Sequence, residues 1–138
     1  MTPDELRAAA YSRFNANWSD ATVQIHYEGN PFTEPAPGTE WIRVAVRNLG
    51  GGQSTLGQTG SRKYDRVFAV VMQVFVPIDE GMKQGAMHAQ AARAIFEGVR
   101  LDDEAWMYDG TISEQALRDG AKSRQINVEV SGVYLETK

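Results

Sequence analysis

The titratable and nucleophilic side chains of this chain are too scattered for a recognisable catalytic or metal site. The two histidines, His26 and His88, have no third ligand close in sequence, as a zinc site requires. The acidic run at residues 102–104 lacks the spacing of a calcium loop and is typical of a solvated turn. Cysteine is absent, and no serine has a nucleophile-elbow context. We therefore expect no enzyme activity, metal or cofactor.

Basic side chains instead cluster around a glycine-rich segment, residues 48–61, which reads Asn-Leu-Gly-Gly-Gly-Gln-Ser-Thr-Leu-Gly-Gln-Thr-Gly-Ser. The segment lacks the lysine of a phosphate-binding loop and leads into a strand pattern instead of a helix. Long loops in compact domains are usually functional or disordered. We expect a flexible arm that becomes ordered on a partner. A solvent-exposed hairpin loop with no role is the alternative.

The basic residues around this segment are Arg43, Arg47, Arg62, Lys63 and Arg66. If the two flanking strands pair, these positive groups should converge on one region of the sheet. They could then form a docking patch for an acidic protein surface. The alternative is an ordinary solvated face on which Asp65 is a local partner. The net charge of −4 disfavours a dedicated nucleic-acid-binding module.

The first predicted element is a helix that begins with a capping box. Thr2 is followed by Pro3 at the first helical position and by Glu5 three residues after the cap. An apolar residue then recurs every four positions, and the helix should end near Asn17. The members of this apolar stripe are Leu6, Ala10, Phe14 and Trp18.

Alternating apolar residues predict strands at residues 23–28, 41–47 and 63–76, with a proline-containing loop at 29–38. A second helix should follow, with Asp79 as its N-cap and Gly98 just beyond its end. Its apolar positions are Met82, Ala86, Ala89, Ala92, Ile95 and Phe96. Residues 111–118 and 125–131 are the last strand candidates, joined by a turn at residues 119–120.

These elements follow the order α-β-β-β-α-β-β. Hairpin-like connections predict an α+β fold, a mainly antiparallel sheet with two α-helices packed on one face. A length of 138 residues suits a single domain, 1–138. The acidic N-terminus does not resemble a signal peptide, and no apolar stretch approaches the length of a membrane-spanning helix, so no membrane association is expected.

The chain resembles the small tail terminator-like proteins of long-tailed bacteriophages, of the lambda-like minor tail protein U type. No single motif carries the resemblance; the order and spacing of several do. They are Arg13-Phe14 with Trp18, Asn30-Pro31-Phe32-Thr33 with Pro35, Trp41-Ile42-Arg43-Val44, Gln53-Ser54-Thr55-Leu56-Gly57, Arg62-Lys63-Tyr64, Val74-Phe75-Val76-Pro77, and Ala91-Ala92-Arg93-Ala94-Ile95-Phe96-Glu97-Gly98.

This resemblance implies a structural subunit without catalytic residues, made in the bacterial host cytoplasm and located in the virion tail at the head–tail junction. Its partners would be copies of itself in a hexameric ring, the tail-tube protein and the head–tail connector protein. The free protein could remain monomeric until it meets the tube, and the ring would pass DNA without binding it. The expected interface residues are Arg43, Arg47, Gln53, Ser54, Leu56, Arg62, Lys63 and Arg66.

Two alternatives stay open from the sequence. The first is another head–tail completion or tail-tube protein. The second is a small-molecule-binding α+β domain or enzyme, whose likeliest polar groups would be His26, His88, Tyr64 and Asp65. If the terminator interpretation is correct, replacing Arg62, Lys63 and Arg66 together with glutamate should leave the fold intact but prevent capping.

Overall fold

A computed structural model of the chain describes residues 1–36, 38–78, 82–117, 120–121 and 123–138. Within these residues the chain forms two helices and six strands. In chain order they are α1 (Pro3–Asn17), β1 (Gln24–Tyr27), β2 (Trp41–Gln53), β3 (Lys63–Pro77), α2 (Met82–Phe96), β4 (Arg100–Asp102), β5 (Ala105–Glu114) and β6 (Ser123–Thr137).

The six strands form one sheet in the order β1-β2-β3-β6-β5-β4. β1 runs parallel to β2, and every other neighbouring pair is antiparallel. The predicted α+β fold with a mainly antiparallel sheet is therefore confirmed. The sequence missed β4, a strand of only three residues that pairs with the start of β5.

The capping box of α1 is confirmed atom by atom. The Thr2 hydroxyl accepts from the Glu5 amide at 3.2 Å, and the Glu5 carboxylate accepts from the Thr2 amide at 2.8 Å. Leu6, Ala10 and Phe14 are fully buried on the predicted stripe. The helix ends at Asn17 as predicted, and the backbone amide of Trp18 closes its last turn onto the Phe14 carbonyl.

The buried face of helix α2 differs in its first half from the apolar face that the sequence predicts. Gly85 and His88 are buried, whereas Ala86, which the sequence placed in the stripe, is exposed. A Cβ at residue 85 would lie 2.5 Å from Ile126 Cδ1, so a larger residue there would have to displace the end of the Ile126 side chain. Gly98 follows the helix with φ +69°, as a C-terminal cap should. The predicted N-cap, Asp79, lies outside the described residues.

Several strands are longer than the sequence predicts, and β2 is the most informative case. β2 continues to Gln53 through a bulge between Asn48 and Gly50, so the prediction of a loop is wrong over residues 48–53. Gly51 has φ +142°, and a Cβ there would lie 1.9 Å from the Asp65 carbonyl oxygen. The glycines therefore let β2 stay paired with β3 where other residues could not.

The end of the chain follows the same trend. β5 covers residues 105–114 where the sequence predicted 111–118, and β6 runs on to Thr137 where it predicted an end at 131. Of the predicted turn at residues 119–120, Asp119 lies outside the described residues.

The hydrophobic core lies between the two helices and one face of the sheet. Ile42, Val44 and Val46 of β2 point into it, as predicted, and Val70, Met72 and Val74 continue the layer in β3. Phe14 of α1 stacks on Phe96 of α2, with ring centroids 6.4 Å apart, and so joins the two helices. The core ends part of the way along β2, which is exposed from Arg47 onwards. Half of the longest hairpin therefore extends beyond the helix cover.

Candidate functional site

The distal hairpin, residues 48–67, joins β2 to β3 and carries most of the exposed candidate residues. Gln53 and Ser54 are exposed, Arg62 is partly exposed, and Leu56 at the tip is 96% exposed. An apolar side chain this exposed gains no burial within its own chain. The surface around Leu56 is thus available for contact with another molecule.

Hydrogen bonds hold the tip of the distal hairpin in one conformation. The Ser54 amide donates to the Lys63 carbonyl at 2.8 Å, and the Lys63 amide donates to the Thr55 hydroxyl at 2.7 Å. The Gln53 side chain donates to the Thr55 carbonyl at 2.7 Å. Arg62 and Lys138 exchange two backbone hydrogen bonds at 3.0 and 2.9 Å, which ties the tip to the C-terminus. Flexibility of residues 54–61 stays a prediction.

The predicted convergence of the basic side chains is wrong. Arg43 lies opposite Gln73, seven residues from Arg66 along β3, a separation of about 23 Å. Alternation along the strands also places Arg43 and Arg47 on the face opposite the helices, whereas Arg66 is on the helix-facing side with Phe68. The sequence pattern could not show this, because the register depends on the bulge in β2.

All four predicted arginines are engaged within the chain. The Arg62 side chain donates to the Gly57 carbonyl at 3.0 Å and to the Thr59 hydroxyl at 3.3 Å, which are exposed hydrogen bonds at the tip.

Arg47 and Arg43 bind side chains elsewhere in the chain. Arg47 donates to both carboxylate oxygens of Glu28, at 2.9 and 2.7 Å. This hydrogen bonding lowers the pKa of Glu28 and raises the pKa of Arg47. Arg43 donates to Gln73 at 3.1 Å, and its guanidinium lies 5.3 Å from the ring centroid of Trp41.

Arg66 has a more buried partner than Arg47 does. It pairs at 3.1 Å with the carboxylate of Glu136, a residue only 8% exposed, and covers the ring of Tyr64 at 4.8 Å. Replacing Arg66 with glutamate would set one carboxylate against another at this buried position. The expectation that the triple glutamate variant leaves the fold intact is therefore unsound, and Arg62 is the cleaner position for a charge reversal.

A cleft of about 470 Å³ lies on the helix-facing side of the distal hairpin, next to the start of α1. Its walls are mostly polar or backbone: Pro3, Asn48, Gly50, Gly51, Arg66, Tyr134, Glu136 and Lys138. The Tyr134 hydroxyl donates to Asn48 at 3.2 Å, and burial raises the pKa of Tyr134. Small-molecule sites are predominantly apolar with a few polar groups. This cleft does not have that character.

The four polar residues of the small-molecule alternative lie in three different elements. His26 in β1 stacks on Phe32, with ring centroids 4.2 Å apart. His88 in α2 is buried, with Nε2 2.7 Å from a carboxylate oxygen of Glu40. Tyr64 and Asp65 lie in β3 next to the cleft. Within the described part of the chain, no hydrogen bond joins any two of these four side chains.

The acidic run at residues 102–104 forms the turn between β4 and β5, as the sequence indicated. The Glu104 carboxylate accepts from the N-terminal amine at 3.2 Å. Among the described residues no three potential metal ligands come together.

Sequence reasoning missed three exposed apolar residues at the edges of the sheet. Leu49 is 57% exposed, Tyr108 is 53% exposed and Ile112 is 37% exposed. Leu49 was read as part of a loop, and Tyr108 was assigned to no element. The available signal was an apolar residue between polar residues and glycines, where a core position is not expected.

Comparison with known proteins identifies the family. A family model described as phage tail terminator protein matches residues 5–131, most of the chain. The chain belongs to the phage tail terminator family. The finer assignment to the lambda-like minor tail protein U type stays a prediction. A search of curated proteins found no match.

One solved structure shares the fold. It aligns with a TM-score of 0.65 and 19% sequence identity over 97% of this chain and 96% of its own. At this identity the likeness concerns the fold alone.

Membership in this family makes the chain a phage structural protein that is located in the virion tail. Within the described residues, the structure contains no helix long and apolar enough to cross a membrane. The site to be explained is therefore a set of protein contacts, and the distal hairpin is the surface with most of the predicted residues.

Proposed function

We propose that this protein is a tail terminator that forms a hexameric ring, caps the tail tube at its final length and joins the tail to the head connector. The family match over residues 5–131 carries this proposal. The protein would be made in the host cytoplasm and would meet its partners at the head–tail junction. It would act by stoichiometric binding, without a cofactor, and its ring would let DNA pass without binding it.

Capping requires a ring with two unlike faces. One face must match the end of the tail tube, and the other must not accept a further tube subunit. The distal hairpin supports this proposal because it extends beyond the helix cover and ends in an apolar side chain, Leu56, that is 96% exposed. We assign the tube contact to its tip, formed by Ser54, Leu56, Arg62 and Lys63.

Three of the other predicted interface residues have a different part in this proposal. Arg43, Arg47 and Arg66 each bind a side chain of their own subunit. They would shape the interface by fixing the strands that carry it. Their removal should weaken assembly through local disorder, whereas removal of Leu56 should weaken it through direct loss of contact.

The decisive experiment adds the purified protein to polymerising tail-tube subunits of the same phage. Tube lengths are then measured by negative-stain electron microscopy. The proposal predicts tubes of limited length with a cap at one end. Unchanged lengths and bare tube ends would contradict it. Long tubes formed by this protein alone would instead support the tail-tube alternative.

A matched pair of variants tests the assignment to the tip. Leu56→Asp should abolish capping, because it places a carboxylate in an apolar contact. Met87→Asp is the control, since Met87 lies on α2 away from the hairpin and is also exposed, at 54%. Both variants should unfold at the wild-type denaturant concentration. Equal loss of capping in the two variants would argue against a specific contact at the tip.

A further inference from the structure

Two strand edges at opposite sides of the sheet have no neighbour within the described residues. β1 pairs with β2 only as far as Val44, and β4 pairs with β5 only at Ala105 and Trp106. Residues 48–53 of β2 and residues 110–114 of β5 therefore lie at the border of the sheet. We refer to them as the β2 edge and the β5 edge.

Backbone groups point outward along both edges. The Ser54 amide bonds inward to Lys63, so strand alternation turns the N–H and C=O of Gly51 and Gln53 outward. The Gln115 amide donates inward to the Gln125 carbonyl, so the N–H and C=O groups of Ile112 and Glu114 likewise point outward. No hydrogen bond within the described chain occupies these four outward positions. Such rows of unpaired groups are templates for another strand.

The side chains along the two edges favour pairing with another strand and do not block it. Leu49 and Ile112 are exposed apolar residues, 57% and 37% exposed, one on each edge. Tyr108, just before the β5 edge, is 53% exposed. The β2 edge contains no proline, lysine or other charged residue of the kind that commonly blocks edge pairing.

Acidic groups predominate beside the β5 edge and basic groups beside the end of the β2 edge, although Asp65 lies opposite Gly52 and Arg93 pairs with Glu97 at 4.0 Å. Asp109 and Glu114 flank the β5 edge, and the carboxylate of Glu97 binds the Gly110 amide at 2.7 Å. Arg62 and Lys63 lie just beyond the end of the β2 edge. Pairing two β5 edges would bring acidic groups together, whereas a β5 edge beside a β2 edge brings acidic groups towards basic ones.

The strand directions fit a repeated contact between copies. Three antiparallel steps separate β2 from β5, so the two strands run in opposite directions. Ile112 lies level with Met72 of β3, through Val128, whereas Gln53 lies opposite Tyr64. When subunits are placed head to tail with an offset of eight residues along the strands, about 26 Å, the β5 edge of one copy meets the β2 edge of the next as an antiparallel pair. Contacts of this unlike kind generate closed rings when the rotation between subunits closes.

We infer that the β2 edge of one subunit pairs with the β5 edge of a second copy of this chain, which makes the sheet continuous between subunits. This inference rests on the proposed ring and adds to it the surface through which the copies assemble. Gln53 and Ile112 would be among the residues brought together, because both turn their backbone groups outward. Both also have their side chains on the helix-facing side, opposite Tyr64 and Val128 of their own sheet.

Cysteine cross-linking tests this pairing directly, because the chain contains no native cysteine. Within one molecule Gln53 and Ile112 are separated by three strand spacings across the sheet, about 14 Å, and by about 26 Å along the strands, which is too far for an internal disulfide. The full-length protein is made with Gln53→Cys, with Ile112→Cys and with both. Each sample is assembled on tail-tube ends, oxidised or treated with a short bismaleimide, and separated on a denaturing gel.

The double variant should give a ladder from dimer up to the ring, and each single variant should remain monomeric on the gel. A mixture of the two single variants should stop at the dimer. Dimers from Gln53→Cys alone would show a like-with-like contact and overturn the pairing. A double variant that caps tubes but gives no cross-link would overturn the pairing while the proposed function stands. Failure to bind tube ends by the wild-type protein as well would contradict both.

A charge variant gives a second measurement without cysteine. Ile112→Lys should prevent ring formation on tail-tube ends, and Met87→Lys should not. Light scattering of the protein mixed with tail tubes measures the difference. A mutant with lysine at residue 112 that still forms wild-type rings would overturn the pairing.

Discussion

The two halves of strand β2 differ in cover although they share one partner strand. From Trp41 to Val46 five of six residues are buried, whereas every residue from Arg47 to Gln53 is exposed. Pairing with β3 continues through both halves. The helices lie over one face of the first half only, and Phe32 and Phe75 pack on Trp41 on its other face. The first half therefore holds the fold together, and the second half provides a strand edge and a loop tip for contacts with other molecules.

The largest expected effect breaks the covered half. Phe14→Ala should lower the free energy of unfolding by about 3–5 kcal/mol, because the ring is fully buried and stacks on Trp18 and Phe96. Leu49→Ala, in the uncovered half, should change it by no more than about 0.5 kcal/mol. Urea denaturation of both variants measures the difference. Similar losses would mean that the two halves do not differ as described.

A second comparison lies within the uncovered half. Gly51→Ala should destabilise the protein by about 1–3 kcal/mol, because of its φ of +142° and the clash of a Cβ with the Asp65 carbonyl. At Gly52 a Cβ meets nothing within 4 Å, so Gly52→Ala is the matched control and should be nearly neutral. Thermal and urea unfolding of the pair decide the point. Equal stability of the two variants would contradict the strained pairing at Gly51.

Charge reversal at the arginines sharpens the same comparison. Arg66→Glu should cost about 1–3 kcal/mol, because it removes the closer partner of the nearly buried Glu136, which keeps only Lys138 at 3.5 Å, and adds a second carboxylate. Arg62→Glu should cost less, about 0.5–1 kcal/mol, since it removes only the exposed hydrogen bonds to the Gly57 carbonyl and the Thr59 hydroxyl. The urea midpoints of unfolding of the two variants are measured, and Arg66→Glu should have the lower one. The reverse order would place the structural arginine at residue 62.

The smallest effect concerns the pair between Arg47 and Glu28. The pKa of Glu28 is lowered in the folded protein, mainly by its hydrogen bond with Arg47. Its contribution to stability is therefore complete above the ordinary glutamate pKa of about 4.3 and disappears as pH falls through the lowered value. Because both side chains are about half exposed, Glu28→Gln should cost no more than about 1 kcal/mol at pH 7. A cost that stayed constant down to pH 3 would contradict this assignment.

Local signals were sufficient for α1 and for the core layer. The capping box and the spacing of Leu6, Ala10 and Phe14 required no knowledge of the sheet. The ends of the long strands were harder, because glycine usually marks the end of a strand. Gly132 sits within β6 because the ring of Phe68 packs over it, and a Cβ there would lie 2.7 Å from Phe68 Cζ. That constraint comes from a distant part of the chain.

The exposure of the hairpin tip was predictable from the sequence, but the contacts of its basic residues were not. The exposed tip with Leu56 was expected from the glycine-rich sequence. The burial of Arg66 was not, because Glu136 lies 70 residues away in sequence. The β5 edge was missed because its exposure depends on how far β4 covers β5, which a three-residue strand does not reveal in the sequence.

Hydrogen–deuterium exchange of the free and the tube-bound protein tests most directly whether the uncovered half is the assembly surface. Backbone amides at unpaired edges exchange quickly until a partner strand or subunit covers them. We expect exchange to slow on binding at residues 48–60 and 110–114, and to stay unchanged around Met87 on α2. Slowing confined to the helices, with residues 48–60 exchanging equally in both states, would contradict this account.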